Sequence, residues 1–243
     1  MMKRCWAEIL GGCSHKISRE HYIERELLQK VKTHGLHDDL EGHELPATSL
    51  KAHILCENHN SQLSDTDQEA INLHEGLLRW FENEEDVRKG NSFWTPTCIN
   101  INGALFSRWL CKFHCNLSTL KGIIPAEHYV RSAFGEKTDP EPRFYVRLHP
   151  GDSISYERRI WYSDHIIGRS KSDENALFHV YFMGLDFLVS PFALTDDIKS
   201  MLAEITGSQF YLGYWMEKPH KFVWKQGDIQ TKSFVFDWES DGA

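Results

Sequence analysis

The sequence predicts an α+β protein in two parts, and three observations carry that expectation. Cysteine and histidine fall at ligand-like spacings near the start, Cys5 with Cys13 and then Cys56 with His59. Between residues 70 and 81, apolar side chains recur at helical intervals. Beyond residue 140, apolar and aromatic residues alternate with polar ones in short runs between turn residues, the pattern of strands. A small metal-held unit over residues 1–90, then an antiparallel sheet packed with two or three helices over residues 91–243, satisfies all three.

Taken in order, Cys5 and Cys13 are spaced more widely than a usual knuckle, but Gly11-Gly12 lets the backbone turn between them. Ile17 and Tyr22-Ile23 flank Ser18-Arg19-Glu20-His21, a strand that starts polar and ends apolar. Glu24–Lys32 is expected as a short helix, and the polar stretch His34–Thr48 as a loop. Cys56-x-x-His59 is a compact turn presenting two ligands. Ser64 or Asp65 caps the next helix, with acids in its first turn. Ala70, Ile71, Leu77, Leu78 and Phe81 trace its apolar face, with Leu73 flanking and His74 expected as a hydrogen-bonded edge residue. The acids Glu82, Glu84, Glu85 and Asp86, then Lys89-Gly90-Asn91, mark a helix end, a turn and the boundary between the parts.

In the second part, Ala104-Leu105-Phe106, Trp109-Leu110 and Phe113 predict a helix, as do the start and stop residues at Pro125 and Gly135 and at Thr195 and Gly207. Strands are expected at Arg143–Leu148, Ile154–Tyr162, Ala176–Phe182, Leu185–Val189, Phe210–Trp215, Lys221–Trp224 and Ser233–Trp238. Turns fall at His149-Pro150-Gly151-Asp152, Lys218-Pro219 and Gly227-Asp228. The strand aromatics, among them Phe178, Tyr181, Phe182 and Trp224, are expected as sheet core before stacking platforms for bases. Cys98, Cys111 and Cys115 are expected as buried thiols, and His114 beside them as part of a buried helix face.

Composition narrows the function classes. Of 243 residues, 41% are hydrophobic and 26% charged, which excludes wholesale disorder. No apolar run approaches the roughly 18 residues of a membrane span, and the start lacks the apolar core of a signal peptide. A cytoplasmic location with no membrane partner is expected. Six cysteines clustered with histidines then favour thiols and metal ligands over disulfides. The net charge of −8 argues against coating nucleic acid by bulk electrostatics. Residues 1–34 nevertheless carry seven Lys/Arg against four Asp/Glu, including Lys3, Arg4, Lys16, Arg19 and Arg25, so a local basic patch can hold phosphates.

The chemistry concentrates in that first part. Two cysteines and a Cys-x-x-His supply the four ligands of a tetrahedral zinc. Glu20-His21 places a carboxylate, suited to a hard cation, beside an imidazole able to take a proton from water. Neighbours on a strand point to opposite faces, so the pair needs a bend to meet one phosphate.

In this order, Cys…Cys, Glu-His, Cys-x-x-His-Asn and a polar helix start, the residues resemble the HNH endonuclease superfamily, over roughly residues 3–85. The resemblance implies a ββα-metal fold on a zinc-bound treble-clef scaffold. It makes Cys5, Cys13, Cys56 and His59 the structural zinc ligands, Glu20 a ligand of a catalytic cation, His21 the general base and Asn60 the residue that holds the loop and orients the base. The last cation ligand falls on Gln62, Leu63 or Ser64, where Leu63 cannot ligate. Asp67, with Asp65 as second choice, is the substitute, and two carboxylates suit Mg²⁺ or Mn²⁺. The expected function is a metal-dependent endonuclease acting on DNA before RNA. Activation by a companion protein, as in a bacterial antiviral defence or toxin system, is a further expectation. The alternative is a non-catalytic, zinc-stabilised adaptor that binds nucleic acid or protein.

Overall fold

Sequence-local signals place most elements of the computed structural model, which describes residues 5–18, 20–21, 32–34, 51–90, 98–148, 159–166, 176–183, 185–206, 215–225 and 231–238. A 3-10 turn at Glu8–Leu10 is followed by strands β1 (Glu20–His21), β2 (Lys32–His34) and β3 (Lys51–Ala52), then by helices α1 (Glu57–Ser61) and α2 (Ser64–Arg88). Strand β4 (Cys98–Asn102) leads into α3 (Gly103–Leu120) and α4 (Glu127–Ala133). After them come β5 (Arg143–Leu148), β6 (Arg159–Ile166), β7 (Ala176–Phe182), β8 (Leu185–Ser190), α5 (Asp196–Thr206), β9 (Met216–Glu217), β10 (Lys221–Lys225) and β11 (Thr231–Asp237). None of the described helices is long and apolar enough to cross a membrane.

Three sheets result. β1 pairs antiparallel with β3, Glu20 opposite Ala52 and His21 opposite Lys51. Six strands run in the order β2-β6-β7-β8-β5-β9, and three in the order β10-β11-β4. The expected antiparallel pairing holds along β6-β7-β8-β5-β9 and β10-β11. Two edge pairs are parallel, β2 with β6 and β4 with β11. Both involve strands the sequence reading missed. Lys32 was assigned to a helix and His34 to a loop, yet both lie in β2; residues 24–31 and 35–48 of those assignments lie outside the described set, as do 149–152, 210–214, 227 and 228. The strand expected at Ile154–Tyr162 is Arg159–Ile166 among the described residues.

Helix α3 is the centre of the molecule. The Asn102 side chain caps it by accepting from the Leu105 N–H at 3.0 Å, a bond worth about 1 kcal/mol. Most of α3 is buried because it is enclosed between α2, α4 and the large sheet. Phe106 lies 4.8 Å from Phe187 and 6.2 Å from Phe182, and Trp109 lies 5.9 Å from Phe182, measured between ring centroids. On α2, Ala70, Leu77 and Leu78 are buried as their spacing predicts. Leu73 and His74, expected at the flank and edge, are buried with them. One continuous apolar cluster takes residues from both sides of the expected boundary, from Cys5 and Leu55 to Phe234 and Phe236. A smaller cluster lies on the other face of the sheet, where Leu202 of α5 meets Tyr145, Leu177, Leu188 and Trp215.

Candidate metal centre

Two backbone turns build this centre. After Cys5, whose carbonyl accepts the Glu8 N–H, the chain reverses through Gly11 and Gly12 at φ +74° and +66°. Those left-handed values favour glycine, and they bring Cys13 back towards Cys5. The second turn begins at Cys56, the N-cap of α1, whose sulfur accepts the His59 N–H. Backbone bonds then tie the turns together: Trp6 N–H to the Ile54 carbonyl, Ser18 N–H to Leu55 and Glu57 N–H to Lys16. Asn58 adds a side-chain bond to the Gly12 carbonyl at 2.8 Å.

The result is a Cys3His cluster whose four ligand atoms all lie within 4.8 Å of one another. The sulfurs of Cys5, Cys13 and Cys56 stand 3.3, 3.6 and 3.3 Å from the one Nδ1 of His59. A single imidazole nitrogen has one proton or one lone pair and cannot bond three thiols well. Bond lengths of about 2.3 Å to sulfur and 2.0–2.1 Å to nitrogen around a tetrahedral ion require sulfur–nitrogen separations of about 3.5 Å. The cluster therefore fits a metal ion such as zinc. Cys5, Cys56 and His59 are buried, while Cys13 is exposed.

The protein pre-sets the charges of these ligands. Burial pushes the Cys5 thiol up to about 12 and raises Cys13 as well. At Cys56 burial also acts upwards, but hydrogen bonds from the His59 and Ser14 backbone and the Ser14 side chain outweigh it and bring the thiol down to about 7. Burial lowers the His59 pKa, which keeps the ring neutral and able to ligate. The His59 ring also bonds the Gly11 backbone and meets Phe134 edge-on at 5.4 Å. Trp6, beside Cys5, contacts the same Phe134 at 5.9 Å and donates from Nε1 to Asn116 Oδ1 of α3 at 2.8 Å. The centre is thus fixed to the α3–α4 pair by ring packing and one buried hydrogen bond.

The remaining candidates are placed less uniformly. Glu20 and His21 form β1, two residues beyond Ser18, whose N–H and hydroxyl both bond the Leu55 carbonyl. Asn60 is half-buried in α1, and its Oδ1 is buried with no hydrogen-bond partner among the described residues. Asp67 is held at 2.6 and 2.7 Å, through both carboxylate oxygens, by Nζ of the buried Lys112. Asp65 is exposed at the start of α2.

Cys111, His114 and Cys115 are buried, and His114 stacks on Phe178 at 4.3 Å. Cys98 is exposed, contrary to expectation, because it lies at an outward position of the alternating strand β4. Sequence reasoning missed Lys112, Trp6, Asn116 and Phe134. For Lys112 a signal existed: a lysine interrupts the otherwise apolar run over residues 109–113 and calls for a buried acid. Compared with known proteins, the chain matches no family model, no curated protein and no solved structure.

Proposed function

We propose that the N-terminal unit is a zinc-scaffolded ββα-metal nuclease of HNH type, hydrolysing phosphodiester bonds in nucleic acid, DNA before RNA. One observation carries the reading: β1, which is Glu20-His21, pairs in register with β3, and β3 runs directly into the Cys56–His59 turn and its helix. A knuckle, two paired strands and a ligand-bearing helix in that order are the parts such a nuclease requires, and the Cys3His cluster supplies the scaffold. His21, as an imidazole, takes a proton from the attacking water. Asn60, on the turn of α1 just after the ligand His59, is the residue assigned to hold that base in place.

The reading also calls for Mg²⁺ or Mn²⁺ at Glu20, to meet the charge that develops on phosphate oxygens. Asp67 does not fit as its second ligand, since both oxygens are bonded to Lys112. That same observation favours a second reading, a zinc-stabilised adaptor that binds without cutting, or a nuclease completed by a companion protein. A cleavage assay on supercoiled DNA, linear DNA and RNA with Mg²⁺ or Mn²⁺ decides. Under the nuclease reading, His21→Ala retains zinc and fold while cutting falls at least about a hundredfold. Equal cutting by His21→Ala removes the site assignment, and a wild type that never cuts, even with companion proteins, leaves the adaptor.

A further inference from the structure

The four ligands of the metal centre are not equally protected. Cys5, Cys56 and His59 are only 5%, 0% and 3% exposed, whereas Cys13 is an exposed residue. Gly11 and Gly12 before it are exposed too, and a Cβ built on Gly11 would meet nothing within 4 Å. The cluster is closed around three ligands and open at the fourth.

The three sulfurs are also close enough to react with one another. All four ligand atoms lie within 4.8 Å, and a disulfide needs its sulfurs about 2.0 Å apart. Around one zinc, bonds of about 2.3 Å set neighbouring sulfurs about 3.8 Å apart, so closure takes a shift of about 2 Å. Cys5 and Cys56 sit on held segments. Cys56 caps α1, while Trp6, next to Cys5, bonds the Ile54 carbonyl and the Asn116 side chain. Cys13 instead follows two glycines at positive φ, whose backbone freedom can absorb the shift.

We propose that the Cys3His centre is a peroxide-responsive switch, in which Cys13 is oxidised first and closes a disulfide with one of its two sulfur neighbours, expelling the metal. The Cys13 thiolate attacks one oxygen of hydrogen peroxide; the O–O bond breaks, hydroxide leaves and a sulfenic acid forms. The thiolate of Cys5 or Cys56 then attacks the Cys13 sulfur. An S–S bond forms, the S–O bond breaks and a second hydroxide leaves. Two thiolates have lost two electrons, and one peroxide has become two hydroxides, which protonate to water. A disulfide offers no thiolate, so two of the four ligands are gone. The switch does not depend on whether the N-terminal unit cuts.

The test uses the full chain loaded with zinc, its metal content measured by atomic absorption, and then treated with hydrogen peroxide beside a chromogenic zinc chelator. Peroxide should release the whole zinc content, and the chain should lose two of its six thiols. Tandem mass spectrometry should join Cys13 to Cys5 or Cys56, and dithiothreitol with added zinc should reverse both changes. Cys98→Ser, which removes the exposed cysteine outside the cluster, should release zinc as wild type does. Cys13→His keeps four ligands and should retain its zinc under the same peroxide. A chain that takes up no zinc overturns the proposal together with the metal reading, whereas zinc held against peroxide overturns the switch alone. Release with Cys13 still a free thiol overturns it as well. Should Cys13→His fail to take up zinc, dimedone trapping in the wild type decides. Label on Cys13 supports the proposal, and label on Cys5 or Cys56 instead overturns it.

Discussion

Strands β1 and β3 are two residues each, whereas β5, β7 and β8 run for six or seven residues and bury a face against α3. A two-residue pair of strands cannot hold its own register, because too few side chains share the face that would specify it. In the first region that task falls to the backbone bonds around the Cys3His cluster, which could hold a metal ion such as zinc. In the second it falls to apolar area, at roughly 1.5–3 kcal/mol for each fully buried large side chain. The difference teaches where each region is vulnerable: one to loss of a point, the other to loss of volume.

Metal removal is the most severe way to break the first region. Structural zinc contributes on the order of 10–16 kcal/mol in small zinc domains near neutral pH. Chelation or Cys56→Ala should therefore abolish hydrogen-exchange protection around residues 5–18 and 51–63, while the amides of β7 and β8 stay protected. Equal loss in both regions would erase the contrast. Zinc uptake has a pH signature as well. With Cys5 held up to about 12 and Cys13 raised, metal must displace both protons at pH 8; below about pH 7 Cys56 adds a third. Affinity should thus fall as pH falls, more steeply below 7, and a pH indicator would count the protons released.

Phe187→Ala makes the complementary cut. It removes the ring 4.8 Å from Phe106 and should cost about 3–5 kcal/mol in denaturant unfolding, with zinc content unchanged. The Lys112–Asp67 pair spans the two regions and sharpens the comparison further. Asp67→Asn leaves the buried Lys112 ammonium without its carboxylate and should cost about 3–5 kcal/mol. Lys112→Met leaves only the more exposed Asp67, which water can reach, and should cost less. A reversed order would mean that the lysine is not the group the pair exists to neutralise. Asn102→Ala removes only the cap of α3 and should cost about 1 kcal/mol.

Much of the second region was legible because strand alternation and helix stops are local signals. β5 and β7 fall where alternation puts them, and Thr195 caps α5 by accepting the Ile198 N–H. The four cysteine and histidine ligands were legible for a related reason, since each pair is joined by a short turn. What stayed hidden depends on distant partners. Nothing in Lys32-Thr33-His34 announces an edge strand until β6 is beside it, and Cys98–Asn102 is a strand because β11 pairs with it. The same holds for Asp67, which reads as a cation ligand in the first turn of its helix and is the counter-ion of a lysine on another helix.

The parallel pairing of β4 with β11 sets a schedule for the emerging chain. Cys98 and Ile99 meet Ser233 and Phe234, so one edge of the small sheet lacks its neighbour while about 135 further residues are made. At typical rates of about 5–20 residues per second, that wait is on the order of ten seconds on the ribosome. An unpaired strand edge recruits strands of other chains. Slowed synthesis across residues 103–230 should therefore lower soluble yield more than the same delay before residue 98.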